Sequence, residues 1–314
     1  MIKSINIILK KCLAIKKDEK LLIITDSKLF NIANLILKEA KKITDNIKLI
    51  KTQIPKVSGT EPNKKIADEM LKYPVQILIT TKSLSHTKAR EKASSKGARI
   101  ATMPGTTKDM IKRAIDIDYE ELKRTNNKLA NILDKGKEVI IKTKKGTDIC
   151  FSIKGRKAHG RGSGICNKKG SFSNLPEGEV FISPIEKTAN GTFIVDASFA
   201  GIGKLKKQLK VNVKNGYAIS FQGEKSKKME KLLDSVNKEA RNIAEFGIGT
   251  NKKAKITGNI LEDEKVKGTC HIALGNNMGF GGRVNVPLHL DGIIKKPTIW
   301  INNKKIMDCG KFLV

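Results

Sequence analysis

A histidine and an aspartate lie two positions apart late in the chain, as His289 and Asp291 in the stretch NVPLHLDGIIKKPTIWI. Because side chains alternate between the two faces of a β-strand, both point the same way if this segment is extended. His271 lies upstream in GTCHIALGNN, a second short apolar run that is typical of a strand. Imidazole nitrogens and a carboxylate oxygen together suit Zn, Co, Mn, Mg or Fe(II), so the spacing indicates a metal site.

Two further carboxylates complete this set if the fold brings them together. Glu179 opens the predicted strand EVFIS directly after the loop SNLPEG, at a strand edge that is easily exposed in a cleft. Glu245 lies in NIAEFGIGTN, at the end of a helix predicted from about Ser226 to Glu245. Its neighbours are apolar, and an unpaired buried carboxylate is costly, so a positive charge should meet it.

Each of these features alone also fits a simpler structure. His289 and Asp291 could be a hydrogen-bonded surface pair, and His271 could be a core histidine whose nitrogens are satisfied. Five cysteines are scattered without a C-x-x-C spacing, which argues against disulfides and against a purely structural zinc site.

The composition points to a soluble, cytoplasmic protein. The chain has 62 lysine and arginine residues against 31 acidic ones, a formal net charge of +31, which first suggests nucleic-acid binding. Lysine greatly outnumbers arginine, however, the charge is spread along the chain, and no nucleic-acid-binding signature appears. No apolar run approaches the roughly 18 residues that span a bilayer. We therefore expect a small-molecule partner, with no membrane partner and no dedicated nucleic-acid partner.

The elements that must position these residues change in character along the chain. In the first third, the apolar runs LLIITD, IKLIKTQI, VQILITT and ARIATM alternate with helical patterns, which predicts an α/β domain over residues 1–125 with a mostly parallel open sheet. His86 and Arg90 follow the third run, where ligands bind such sheets. His86 is thus either a catalytic or substrate contact, or a residue that only caps the next helix.

The remainder, residues 126–314, is predicted to be a β-rich α+β domain that carries the metal site. A helix over Tyr119–Asp134 leads into it. Three hairpins are predicted, with turns at Lys145-Gly146, Asn190-Gly191 and Asn215-Gly216.

The motifs NLPEGEVFISP, AEFGIGTN, GTCHIALG and VPLHLDG, in this order, resemble the thermophilic-type metalloaminopeptidases, the family of aminopeptidases T and S. SLSHTKAR and ARIATMPG also look similar, so the resemblance covers most of the chain. It implies a homodimer in which two adjacent divalent ions (Zn, Co, Mn or Mg) activate water to attack a peptide carbonyl. The implied ligands are Glu179, Glu245, His271, His289 and Asp291.

Two positions depart from this family. A tyrosine is expected seven residues after His271, but Met278 occupies that position, and a thioether cannot donate the hydrogen bond of a phenol. The family also tends to have two adjacent acids in its first motif, whereas Gly178 precedes Glu179.

A second, more distant resemblance is to the Fe(II)-dependent ring-opening dioxygenases that act on dihydroxypyridines. It implies a single iron held by His271, His289 and Asp291. Glu179 and Glu245 would then support the site or contact substrate, and His86 would act as an acid or base.

The leading prediction is an aminopeptidase-like, metal-dependent hydrolase that releases N-terminal residues from peptides, with Glu179, Glu245 and His86 as catalytic groups. The dioxygenase is the first alternative. A non-enzymatic or nucleic-acid-binding derivative of the fold is the second.

Overall fold

The structure, a computed structural model, describes all 314 residues and divides into two compact units. Met1–Tyr119 with Gly162–Glu177 forms the first, here called the α/β unit, and Glu120–Arg161 with Gly178–Val314 forms the second, the β-rich unit. The sequence predicts one boundary at residue 125, whereas in the structure the first boundary follows Tyr119 and the segment Gly162–Glu177 also belongs to the α/β unit. It belongs there because its strand pairs with the parallel sheet.

The α/β unit contains one five-stranded sheet in which neighbouring strands are all parallel. Its strands in spatial order are β2 (Ile47–Thr52), β1 (Leu21–Asp26), β3 (Val75–Ile79), β4 (Arg99–Thr102) and β7 (Phe172–Asn174). Strands β1 and β3 are buried along their whole length, as apolar runs inside a parallel sheet should be. The predicted parallel α/β sheet is confirmed.

The helices of this unit agree with the predicted alternation. They are α1 (Ile2–Asn6), continued by a π-helical segment (Ile7–Cys12), α2 (Phe30–Ala40), α3 (Lys64–Met70), α4 (Lys88–Ser95) and α5 (Lys108–Ala114). The last three begin at side-chain caps, because Asn63, Thr87 and Thr107 each accept a hydrogen bond from the backbone N–H three residues ahead.

The β-rich unit is built mainly from two antiparallel sheets. Its strands are β5 (Glu138–Lys142), β6 (Asp148–Ser152), β8 (Glu179–Ile182), β9 (Asn190–Val195), β10 (Ser198–Phe199), β11 (Gly203–Lys204), β12 (Leu209–Lys214), β13 (Tyr217–Gly223), β14 (Ile243–Gly249), β15 (Thr269–Gly275), β16 (His289–Lys295), β17 (Thr298–Ile301), β18 (Lys304–Asp308) and β19 (Lys311–Phe312). One sheet has the order β11-β10-β16-β15-β14-β8, and the other β13-β12-β9-β6-β5-β17-β18-β19.

The helices of the β-rich unit are α6 (Tyr119–Asp134), α7 (Ser226–Asp234) and α8 (Ile260–Asp263), with short 3₁₀ turns at Lys238–Arg241 and Met278–Phe280. In neither unit is there a helix with the length and apolar character needed to cross a membrane. The predicted helix over Tyr119–Asp134 is confirmed.

The two antiparallel sheets share one apolar core. Phe246 of the six-stranded sheet packs against Phe151 of the eight-stranded sheet, with ring centroids 5.5 Å apart. Phe193 and Ile272 are completely buried in the same core. Burial of this face fixes the opposite face of β14 and β15 as the one on which polar side chains gather.

Two of the three predicted hairpins are confirmed. Strands β5 and β6 pair across Lys145-Gly146, and β12 pairs with β13 across Asn215-Gly216, where both turn residues have positive φ. The hairpin predicted at Asn190-Gly191 is wrong, because β8 and β9 belong to different sheets. Gly191 instead allows β9 to approach β6, since a Cβ there would lie 2.2 Å from the carbonyl oxygen of Asp148.

The helix predicted to end at Glu245 is also wrong. Helix α7 ends at Asp234, and Asn237 is fully extended, so the chain leaves the helix well before the acid. Glu245 lies in β14, every residue of which is buried, between β15 and β8. It is therefore held by strand register rather than by a helix end.

The shared core should dominate the stability of the β-rich unit. Truncating the fully buried Phe193 to alanine should lower the free energy of unfolding by about 3–5 kcal/mol, because the removed ring leaves a cavity between packed side chains. Ile219→Ala, at a site on β13 that is 56% exposed, serves as the control and should change it by less than about 0.5 kcal/mol. Equal effects of the two substitutions in denaturant unfolding would contradict this assignment of the core.

Candidate metal centre

Strand register brings the predicted ligands to one face of the six-stranded sheet. Glu245 on β14 and Asp291 on β16 both pair with Ala273, which lies between them on β15. Directly opposed residues of antiparallel strands share a face. The two carboxylates therefore flank one small residue on the same side of the sheet.

The other three ligands follow by the two-residue period of a strand. His271 precedes Ala273 by two positions and His289 precedes Asp291 by two, so both imidazoles join the same face. Glu179, at the start of β8, pairs with Gly249, four positions after Glu245. All five predicted ligands thus lie on one face of four adjacent strands.

Small residues leave room for these side chains. Gly247 pairs with His271 across β14 and β15, and a Cβ at Gly247 would lie only 2.0 Å from Nε2 of that histidine. The glycine is required by this close approach of the imidazole rather than by an unusual φ. Its place in the AEFGIGTN motif therefore has a direct structural explanation.

The ligand atoms converge at separations that suit a metal ion. The distances are 3.2 Å from His271 Nε2 to Glu245 Oε1, 3.4 Å from His271 Nε2 to Glu179 Oε2, 3.5 Å from His289 Nε2 to Glu245 Oε2, and 3.4 Å from His289 Nε2 to Asp291 Oδ1. Three of them exceed a usual N–H···O hydrogen bond. Two ligand atoms about 2.1 Å from one ion, with bond angles of about 90–110°, are themselves about 3.0–3.4 Å apart. The residues present therefore fit a divalent metal.

The convergence consists of two overlapping groups that share Glu245. One comprises Glu179, Glu245 and His271, and the other Glu245, His289 and Asp291. Within each group the ligand atoms all lie within 4.8 Å of one another. The arrangement can thus hold one ion at either position, or two adjacent ions.

The ring of His289 is oriented by the backbone. Its Nδ1 lies 2.8 Å from the carbonyl oxygen of Asn276. A carbonyl oxygen can only accept, so Nδ1 carries a proton in either charge state, and loss of the other proton leaves the lone pair on Nε2, the nitrogen that lies near Glu245 and Asp291. Histidine ligands in proteins are commonly fixed by a contact of this kind.

An aromatic wall borders the more exposed side of the centre. His271 is fully buried, whereas the side chain of His289 is 29% exposed. The Phe280 ring meets the His289 ring edge-on at a centroid distance of 5.6 Å, and Phe280 also contacts Phe181. His159 stacks on Phe181 at 5.2 Å, which completes a wall of three rings, His159, Phe181 and Phe280.

Lys265 also enters the centre, although its sequence gave no indication of this. Its side chain is fully buried, and its ammonium group forms salt bridges with Glu179 and, at 2.7 Å, with Glu264. The run of acids Glu262, Asp263 and Glu264 that precedes it is typical of a solvated acidic turn, and that interpretation is wrong for Glu262 and Asp263. Glu262 and Asp263 are buried as well, and Asp263 accepts backbone hydrogen bonds from Thr257 and Gly258.

The acids strongly shift the protonation of the two metal-free imidazoles. Burial opposes charge on His271, but Glu245, Glu179 and Asp291 outweigh it and raise the pKa of His271 to about 9. Burial likewise opposes charge on His289, while Asp291 and Glu245 raise the pKa of His289 to about 10. Although burial alone would raise the pKa of Asp291, chiefly the charge of His289 lowers it to about 2.

The remaining candidates lie elsewhere. His86 is in the α/β unit, exposed at the turn between β3 and α4, next to the cap residue Thr87, and its catalytic role stays a prediction. Met278 is 52% exposed on a 3₁₀ turn.

A family model and a relative identified by sequence both point to one family. The family model described as NicX, 2,5-dihydroxypyridine 5,6-dioxygenase, matches residues 2–314. A 2,5-dihydroxypyridine 5,6-dioxygenase of Pseudomonas putida is 22% identical over 251 residues, which cover 74% of this chain and 70% of that protein.

Two solved structures have a similar fold. The 2,5-dihydroxypyridine dioxygenase of Pseudomonas putida gives a TM-score of 0.85 at 14% identity, over 100% of this chain and 96% of that one. Wild-type AmpT from Thermus thermophilus gives 0.78 at 14% identity, over 100% and 98%. At these identities the likeness concerns the fold alone.

These findings correct the leading prediction from sequence. Aminopeptidase-like hydrolysis is wrong, since both the family model and the relative from Pseudomonas putida are described as dioxygenases. The prediction failed because the motifs that carry the ligands occur on a fold that is shared with AmpT. The predicted ligands thus converge at one candidate site, but their identity does not determine a reaction.

Gly247 should be essential for metal binding. Gly247→Ala places a methyl group where Nε2 of His271 lies, and the displaced ring should weaken metal affinity by about 10–100-fold or more. Gly279→Ala is the matched control, because nothing lies within 4 Å of a Cβ there. Metal titration of both variants, with circular dichroism to verify folding, measures the effect, and unchanged affinity in Gly247→Ala would refute it.

Metal binding should release protons. Since the raised pKa values leave His271 and His289 protonated in the metal-free protein at pH 7.5, each ligand nitrogen must lose a proton, about two per ion, and affinity should rise with pH up to about 9–10. Calorimetric titration in buffers of different ionisation enthalpy counts these protons. A buffer-independent enthalpy would mean that the rings are already neutral.

Proposed function

This chain belongs to the NicX family, and we propose that it is a ring-cleaving dioxygenase with a single Fe(II) that acts on a small hydroxylated pyridine. The observation that carries the proposal is the match of the family model to residues 2–314, which include the whole ligand cluster. The membership favours an enzyme over the non-enzymatic alternative.

Iron would be held by His271 from the first ligand group together with His289 and Asp291 from the second. Two imidazoles and one carboxylate, with positions left open, are the ligand set of many non-haem Fe(II) oxygenases. Bound there, Fe(II) supplies the redox chemistry that lets O2 react with an electron-rich ring. The predicted pair of ions is reduced to one ion in this proposal, and Glu179 and Glu245 become supporting groups.

The protein's own residues determine the orientation of the site. The carbonyl of Asn276 fixes the ring of His289, and the space at Gly247 admits the ring of His271. Glu245 lies between the two rings, 3.2 Å from Nε2 of His271 and 3.5 Å from Nε2 of His289. The complete burial of His271 excludes water from one side of the centre.

Glu245 is the group that accepts a proton from a substrate hydroxyl in this scheme. Ionised ring hydroxyls are more electron-rich, so a carboxylate beside the metal assists ring oxidation. Glu179 is less suited to this role, because the ammonium of Lys265 holds its carboxylate. Glu245 has imidazoles as neighbours instead, and these become neutral when they bind metal.

The aromatic wall suits a flat heterocycle. The Phe280 ring lies beside His289, the most exposed of the ligands in the cluster, and the Phe181 ring lies beside Phe280. Aromatic pairs prefer offset or edge-to-face contacts, and each contributes about 0.5–1.5 kcal/mol beyond its buried area. A pyridine ring can therefore be held here while its hydroxyl groups face the metal and Glu245.

Turnover of 2,5-dihydroxypyridine tests the proposal. Protein loaded anaerobically with Fe(II) should remove the ring absorbance only after O2 is admitted, with one O2 consumed per ring, and ¹⁸O2 should place both atoms in the ring-opened product. Ring loss without O2 uptake, or no turnover of hydroxylated pyridines by the iron-loaded protein, would contradict it.

Glu245→Gln separates proton transfer from metal binding. It should lower kcat by about 10²–10⁴-fold, because the amide cannot accept the proton, while iron content stays near that of the unmodified protein. Ile219→Ala on β13 is the control and should retain full activity. Loss of iron in proportion to loss of activity would instead make Glu245 a ligand.

A further inference from the structure

Five potential ligands are more than a single ion requires. The group Glu179, Glu245 and His271 and the group Glu245, His289 and Asp291 share a carboxylate between them. A carboxylate shared by two ligand groups is the usual means by which two neighbouring ions are held in hydrolytic sites. The ligands by themselves therefore do not explain why this centre would hold one ion.

Lys265 distinguishes the two positions. Its ammonium group forms a salt bridge with Glu179, which belongs only to the first group, whereas the carboxylates of Glu245 and Asp291 lie against the imidazoles of His271 and His289. The side chain of Lys265 is completely buried, which is rare for lysine unless it is paired. The cation thus adjoins one of the two metal positions.

The backbone holds Lys265 in this place. Its N–H donates to the carbonyl of Glu262 at 3.0 Å, and its carbonyl accepts from Asn251 N–H at 2.8 Å. Glu264 supports the ammonium group from a second side at 2.7 Å. The backbone hydrogen bonds and the salt bridge with Glu264 therefore fix the positive charge of Lys265 in the segment between α8 and β15.

We infer that Lys265 takes the place of a second metal ion, by neutralising Glu179 and repelling a second cation from the position beside that carboxylate. A charged ammonium group has three donors and no lone pair, so it cannot itself be a ligand. The ammonium group pairs with the carboxylate of Glu179, which would otherwise need a metal ion as its counter-charge. Its positive charge also repels a divalent ion placed next to it. This inference deepens the proposed function, since it concerns the same centre.

Metal counting tests the inference without any activity measurement. Titration with Mn(II), followed by elemental analysis after removal of weakly bound ions, should give one ion per chain in the unmodified protein. Lys265→Met, which keeps the length and removes the charge, should bind two. Exchange-coupled signals in the electron paramagnetic resonance spectrum should appear only in this variant, since only adjacent Mn(II) ions interact.

Two control variants keep the test decisive. Lys265→Arg retains the charge and should still bind one ion. The double variant Glu179→Gln with Lys265→Met removes both the acid and its partner and should also bind one, even if Lys265→Met alone fails to fold. Two ions in the unmodified protein or in the double variant would overturn the inference, as would one ion in folded Lys265→Met. Absence of turnover on dihydroxypyridines would contradict only the proposed function.

Discussion

The candidate metal centre depends on the register of four antiparallel strands. Glu245 and Asp291 share a face only because both pair with Ala273, and Glu179 joins them through its pairing with Gly249. A slip of one residue along any of these strands would turn its ligand to the opposite face. The apolar core on that opposite face, where Phe246 meets Phe151, makes such a slip costly, so packing between the sheets maintains the chemistry on the outer face.

Electrostatics sets the second constraint. Several carboxylates gather in a buried region, and like charges there are tolerated only when cations lie among them. Without metal, the imidazoles and the ammonium group of Lys265 supply this positive charge, which explains why the pKa values of His271 and His289 are raised and that of Asp291 is lowered. In the proposed centre a divalent ion would replace the protons of the imidazoles, whereas Lys265 would keep its charge beside Glu179.

The sequence allowed much of this architecture to be predicted. The two-residue period placed His289 and Asp291 on one face, and the alternation of apolar runs with helical patterns predicted the parallel sheet. Glu245 was assigned to a helix because a helical pattern precedes it, and only the pairing of β14 with β15 reveals its strand. The burial of Lys265 depends on contacts with residues far along the chain, such as Glu179, so the charged sequence around it did not predict that it is buried. The spacing of the ligands could not predict the type of reaction, because hydrolases and oxygenases use the same donor atoms.

The central claim is that this register creates a mononuclear iron centre. Its most direct test is a crystal structure of the Fe(II)-loaded protein with anomalous diffraction measured at the iron edge. We predict one anomalous peak per chain, roughly 2.0–2.2 Å from Nε2 of His271, Nε2 of His289 and an oxygen of Asp291. Two peaks bridged by Glu245, or a single peak bound by Glu179 and away from His289, would contradict the account.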